Sequence, residues 1–136
     1  MVMESVNNVV NVPVESRLQF YSYWLHFIKP FHKLTNKEIE ILSYFLYYRD
    51  DLLKTTGSDK ELYKKLFSEE IRSKVIEGCG ISKSHLQVAL VSLRKAGVIV
   101  NKELNPKFIP RVIEGDTTYK LLFYFDLKWI QEKHQE

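Results

Sequence analysis

Only one cysteine, Cys79, occurs among the 136 residues, so no internal disulfide can form, which suits a reducing compartment. No apolar run approaches the roughly 20 residues that a membrane span requires. The opening stretch, Met1 to Arg17, lacks a basic start followed by an apolar core, so no secretory signal is expected. These absences predict a cytoplasmic protein without membrane contact. Phosphate-cradling and dinucleotide-type glycine motifs are missing, and so is H-E-x-x-H. His26, His32, His85 and His134 have no metal-ligand spacing among themselves or with Cys79. Asp50-Asp51 and Glu69-Glu70 fall at helix ends, where solvation and capping explain paired carboxylates. No enzyme activity, metal or cofactor is therefore expected. Cys79 reads as a small packing residue, and His26, inside an aromatic helix, as a satisfied core or interface histidine.

Aromatic residues are abundant: eight Tyr, eight Phe and two Trp, most of them before residue 50. With 45% hydrophobic and 27% charged residues, the chain has the balance of one globular domain that folds without staples. The net charge of +3 is unevenly spread. Lys83, Arg94, Lys95, Lys102, Lys107 and Arg111 face a single acid, Glu103, between residues 82 and 111, which leaves the remainder slightly acidic. Such asymmetry fits a nucleic-acid face, and it fits an ordinary solvated surface too.

Periodicity divides the chain. Residues 1–14 show no helical period and read as an extended arm. Ser16 and Gln19 form a capping box for a helix to about Lys29, which Pro30 ends. That helix has two apolar faces, one with Leu18, Tyr21, Leu25 and Ile28, the other with Phe20, Trp24, Phe27 and Phe31. Either the helix is sandwiched within its own domain, or an aromatic face carrying Phe20, Tyr23, Trp24 and Phe27 meets another chain as a homo-oligomer interface. Thr35 and Glu38 open a buried central helix through about Lys54. A short amphipathic turn with Leu62, Tyr63, Leu66 and Phe67 follows. Ser68 is expected to cap a helix over 69–77, with Gly78 and Gly80 supplying the turn after it. Ser82 then caps a helix whose buried stripe is Leu86, Ala89, Leu90 and Leu93, and Gly97 ends it before the strand Val98-Ile99-Val100. A long loop over 101–117 leads to a final strand at 119–127 with apolar residues at alternate positions. The tail, 128–136, adds a helical turn docking Trp129 and Ile130.

Gly80-Ile81-Ser82-Lys83-Ser84-His85-Leu86, followed by Leu90, Leu93 and Arg94-Lys95-Ala96-Gly97-Val98-Ile99, resembles winged helix-turn-helix domains. The similarity is to MarR-like regulators and to plasmid and phage replication or transcription proteins. It covers about residues 35–127. The implied fold is mainly α with a small β-hairpin (α+β), within a domain spanning 15–127. The helix-turn-helix occupies 68–97 and the wing 98–127, with the arm and aromatic helix as additions.

That resemblance implies double-stranded DNA as the partner. Lys83, Ser84, Gln87, Val88 and Val91 would occupy the base-facing positions of the second helix. Lys83 would then meet a phosphate or guanine edge, Gln87 an adenine, and the valines thymine methyl groups. Arg94 and Lys95 lie at the helix end, where they also favour the negative end of the dipole. Lys102, Lys107 and Arg111 would place positive charge on the wing; alternatively, Phe108 and Ile109 pin this segment back as an extra strand. A winged helix can also bind protein, and two valines suit a dry contact. The second reading is accordingly a phage virion structural or assembly protein, against a first reading of a transcription or replication regulator.

Overall fold

A computed structural model describes residues 10–113, 115, 117–121 and 124–130. The elements run α1 (Arg17–Phe27), α2 (Lys29–His32), α3 (Asn36–Leu53), α4 (Asp59–Leu66), α5 (Glu69–Cys79), α6 (Lys83–Lys95), β1 (Ile99–Val100) and β2 (Glu103–Leu104), then a 3-10 turn, Pro106–Phe108. Mainly helical with one small antiparallel sheet, this is an α+β arrangement. None of the described helices is long and apolar enough to cross a membrane.

The central position belongs to α3, which packs against α1, α4, α5 and α6. Ile39, Ile41, Leu42, Phe45 and Leu46 are all buried, so α3 is apolar over far more than one stripe, as a helix covered on several sides must be. Ser43 is also buried, and its hydroxyl donates to the Ile39 carbonyl at 2.7 Å, which meets the cost of placing it there. The predicted capping box is present at the start of this helix. Glu38 N donates to Thr35 Oγ1 at 3.2 Å, and Thr35 N donates to Glu38 Oε1 at 2.8 Å.

Other boundaries differ from the sequence reading for identifiable reasons. Ser16 Oγ accepts from Gln19 N, but the Gln19 side chain reaches the amide of Glu15 instead of that of Ser16. Pro30 does not simply end a helix. It sits in the first turn of α2, where its missing N–H costs nothing. Ser68 precedes α5 without capping it, because its hydroxyl donates to the Lys65 carbonyl at 2.6 Å. Gly78 lies inside α5, which runs to Cys79. A Cβ there would come within 2.6 Å of the Tyr44 ring, whose hydroxyl donates to the Gly78 carbonyl. Close approach, not a turn, requires this glycine. Gly80 alone turns the chain, at φ 64°.

Among the described histidines the buried one is His32, while His26 and His85 are exposed. His32 Nδ1 accepts from the amide of Leu34 at 3.0 Å, so the ring proton belongs on Nε2, which donates to the Leu25 carbonyl at 2.7 Å. The ring thus bridges the end of α1 to the start of α3 in its neutral form. Burial lowers its pKa below the ordinary 6.5, outweighing the Leu25 hydrogen bond, which raises it. Because the unfolded chain takes up this proton more readily, His32 contributes stability that is intact above about pH 6.5 and is lost as pH falls through its lower folded value. Urea midpoints should therefore decline between about pH 7 and pH 5. In His32→Gln that decline should shrink, from a lower starting stability. An unchanged pH profile in the variant would show that His32 does not carry it.

After α6 the chain departs most from expectation. No 17-residue loop follows β1: Ile99 pairs with Leu104 and Val100 with Glu103, leaving a two-residue turn, Asn101-Lys102. Both turn residues have positive φ, 53° and 64°, as a type I′ hairpin demands. Asn105 then ties the hairpin to the end of α6, donating from its backbone to Val98 O at 2.7 Å and from Nδ2 to Gly97 O at 2.9 Å. Phe108 and Ile109 do pin the next segment back, but through a 3-10 turn and not a strand. The Phe108 carbonyl accepts from Trp24 Nε1 at 3.0 Å, and its ring meets that of His32 edge-on. Residues 119–121 and 124–127, predicted as the final strand, carry no strand; Leu122 and Phe123 lie outside the described residues. Lys128 to Ile130 form a helical turn, although Trp129 is exposed. Of the predicted arm, residues 10–14 are exposed and without regular structure, and 1–9 lie outside the described residues, as does the tail beyond Ile130.

Candidate nucleic-acid interface

The segment from α5 to β2 brings together most of the predicted site residues. Its geometry starts at the turn between α5 and α6. With Gly80 in the left-handed region, Ile81 N can donate back to Ile76 O at 3.2 Å, closing the end of α5. Ser82 Oγ accepts from His85 N at 3.0 Å and opens α6. Leu86, Ala89, Leu90 and Leu93 are then buried, packing α6 on α3 and α5, with β1 against it. Burial would raise the pKa of the Glu38 carboxyl, but hydrogen bonds from Ser92 and Thr35 outweigh it and hold the value below the ordinary range.

Once the leucine stripe is fixed, the opposite face follows. At 3.6 residues per turn, Lys83, Ser84, Gln87, Val88, Val91, Arg94 and Lys95 fall within an arc of about 140°, with Ser84, Val88, Val91 and Lys95 opposite the leucines and Lys83, Arg94 and Gln87 on the flank nearer Leu90. All seven are exposed, Val88 by 69% and Val91 by 44%. No carboxylate occurs within α6. Lys83 pairs with Glu69 of α5 at 3.5 Å, but both side chains are about two-thirds exposed or more. Such a pair is worth little in water, so breaking it would cost Lys83 little.

The three basic residues assigned to the wing separate. Lys102 occupies the tip of the β1–β2 hairpin. Lys107 belongs to the 3-10 turn and Arg111 follows Pro110, in a segment anchored on Trp24 and His32 instead of on an extended loop. All three are exposed. Lys102 is conformationally disfavoured where it stands, because a left-handed backbone costs a residue with a Cβ about 1–2 kcal/mol. Lys102→Gly should therefore raise stability by about 0.5–1 kcal/mol after the entropy of the freer unfolded chain is subtracted. If the side chain meets phosphate, duplex affinity should fall in the same variant. A loss of stability in thermal melts would show that the lysine side chain holds the hairpin.

The aromatic residues of α1 also divide. Phe20 and Trp24 are partly buried and meet Tyr119 edge-on, at ring separations of 5.2 and 6.2 Å. The chain itself thus takes up much of the face that the sequence offered to another copy. Tyr23 and Phe27 are exposed and, with Val12, Pro13 and His26, line a shallow depression. Burial, with Glu40 beside it, pushes the Cys79 thiol up to about 12, and the Cys79 carbonyl accepts from Lys37 Nζ at 2.9 Å. A thiol held protonated in this way is a poor nucleophile. Among the described residues no group of three or more His, Cys, Asp or Glu is arranged to hold a metal ion.

Sequence reasoning missed two positions that shape the site. Asn105 carries no pattern beyond standing before Pro106, yet it orients the hairpin relative to α6. Tyr44, on the central helix, fixes the end of α5 through Gly78. Comparison with known proteins returns no matching family model, curated protein or solved structure.

Proposed function

We propose that the protein is a small winged-helix DNA-binding protein, a transcription or replication regulator or accessory factor of a phage or mobile element, acting in the cytoplasm. In this reading α5 and α6 form the helix-turn-helix, α6 enters the major groove and the β1–β2 hairpin is a short wing against the backbone. The observation that carries it is the outward face of α6: seven residues of base- and phosphate-contacting type, all exposed, on a helix without a carboxylate. Lys102 adds a further exposed cation at the tip of the hairpin that this reading makes the wing.

A second reading, a phage virion structural or assembly protein that uses the same surface to bind protein, draws on the exposure of Val88 and Val91. The two readings part on Gln87. For a DNA reader, Gln87→Ala should relax sequence preference by about 1–3 kcal/mol at one base pair, while the salt dependence of binding stays nearly unchanged. Duplex selection from a randomised pool, run with wild type and variant, measures this. Identical selected sequences from both proteins would remove Gln87 from the reading surface.

A further inference from the structure

The least expected feature of the α6 face is its apolar centre. Val91 points almost directly away from the leucine stripe, with Val88 and Gln87 to either side of it on the helical projection. A valine exposed by 69% on a packed helix contributes little to the fold. Within α6 the charge around these valines is of one sign, while Lys83 also pairs with Glu69 of α5. Lys83 and Arg94, at the two ends of α6, are 11 residues apart, about 16 Å along the axis. That exceeds the major groove width of about 12 Å, so the two cations can reach phosphates on opposite edges while the middle of the helix faces the groove floor. An apolar centre between two cations fits the floor of a groove where the only apolar group is the thymine 5-methyl. Val88 and Val91 are about 4.5 Å apart along the helix and about 60° apart around it. With α6 lying across the groove, only the second separation carries one valine past the other along the duplex. They therefore lie over the same or neighbouring base pairs.

Resting on the DNA-binding reading above, we infer that Val88 and Val91 form a thymine-methyl-reading surface, with Gln87 set to bond an adjacent adenine. The ligand class is then a duplex site bearing thymine at neighbouring steps. Water leaves both the valine side chain and the methyl group when they meet. By the transfer free energy of a methyl-sized group, each such meeting is worth about fourfold in affinity.

The test uses the full chain and a short A·T-rich duplex made once with thymidine and once with deoxyuridine, which removes only the 5-methyl groups. Fluorescence anisotropy should give tighter binding to the thymidine duplex, by about fourfold for one methyl group read and more for two. In the double variant V88S/V91S, with helix content checked by circular dichroism, the ratio between the duplexes should approach one while binding itself survives. Equal wild-type affinity for both duplexes overturns this inference and leaves the DNA-binding reading standing. A preference for thymidine that persists in the double variant also overturns it, because the methyl groups are then read elsewhere. Binding to neither duplex at low salt defeats both proposals and favours a protein partner on this face.

Discussion

Leu90→Ala should destabilise the protein by about 2–5 kcal/mol. Leu90 is almost fully buried in the stripe that holds α6 on α3 and α5, beside Leu86 and Leu93. Truncation removes apolar area from the core and leaves a cavity that rigid neighbours only partly fill. For a domain of this size, whose total stability is typically about 5–15 kcal/mol, the loss is a large fraction. Urea melts measure it directly. A variant melting with the wild-type midpoint would mean that the register of α6 is wrong, and with it every assignment on the outward face.

Replacing Lys83, Arg94 and Lys102 together with alanine should flatten the slope of log affinity against log salt by about 2.7, at 0.9 for each phosphate no longer neutralised. All three are exposed, so the fold should survive the change. Lys107→Ala serves as the comparison. Its residue sits in the turn anchored on Trp24 and His32, so the slope should move much less. Equal effects from Lys107 and Lys102 would show that the segment after β2 joins the binding surface despite its anchoring.

The helices were legible because their signals are local. The leucine stripe of α6 and the capping box of α3 depend on spacings of three and four residues, and both are found as predicted. The outward face of α6 follows from that stripe by geometry alone. The hairpin was hidden for a specific reason: its turn is Asn-Lys, whereas the usual sequence signal is Asn-Gly, and a lysine at φ 64° leaves no trace in a pattern. Missing the turn lengthened the wing into a loop and grouped Lys107 and Arg111 with Lys102. His32 was overlooked because its burial depends on Pro30 starting a short helix instead of ending one, which brings the ring between Leu25 and Leu34. The alternation at 119–127 is a strong strand pattern in sequence, but a strand needs a partner, and pattern alone does not supply one.

Salt-dependent binding of the wild-type chain to duplex DNA tests the central claim most directly. Anisotropy titrations at several salt concentrations should give measurable affinity at low salt and a linear fall of log affinity with log salt, by about 0.9 per phosphate neutralised. Failure to bind any duplex more tightly than about millimolar at low salt, where even non-specific electrostatic attraction is strongest, would contradict the account.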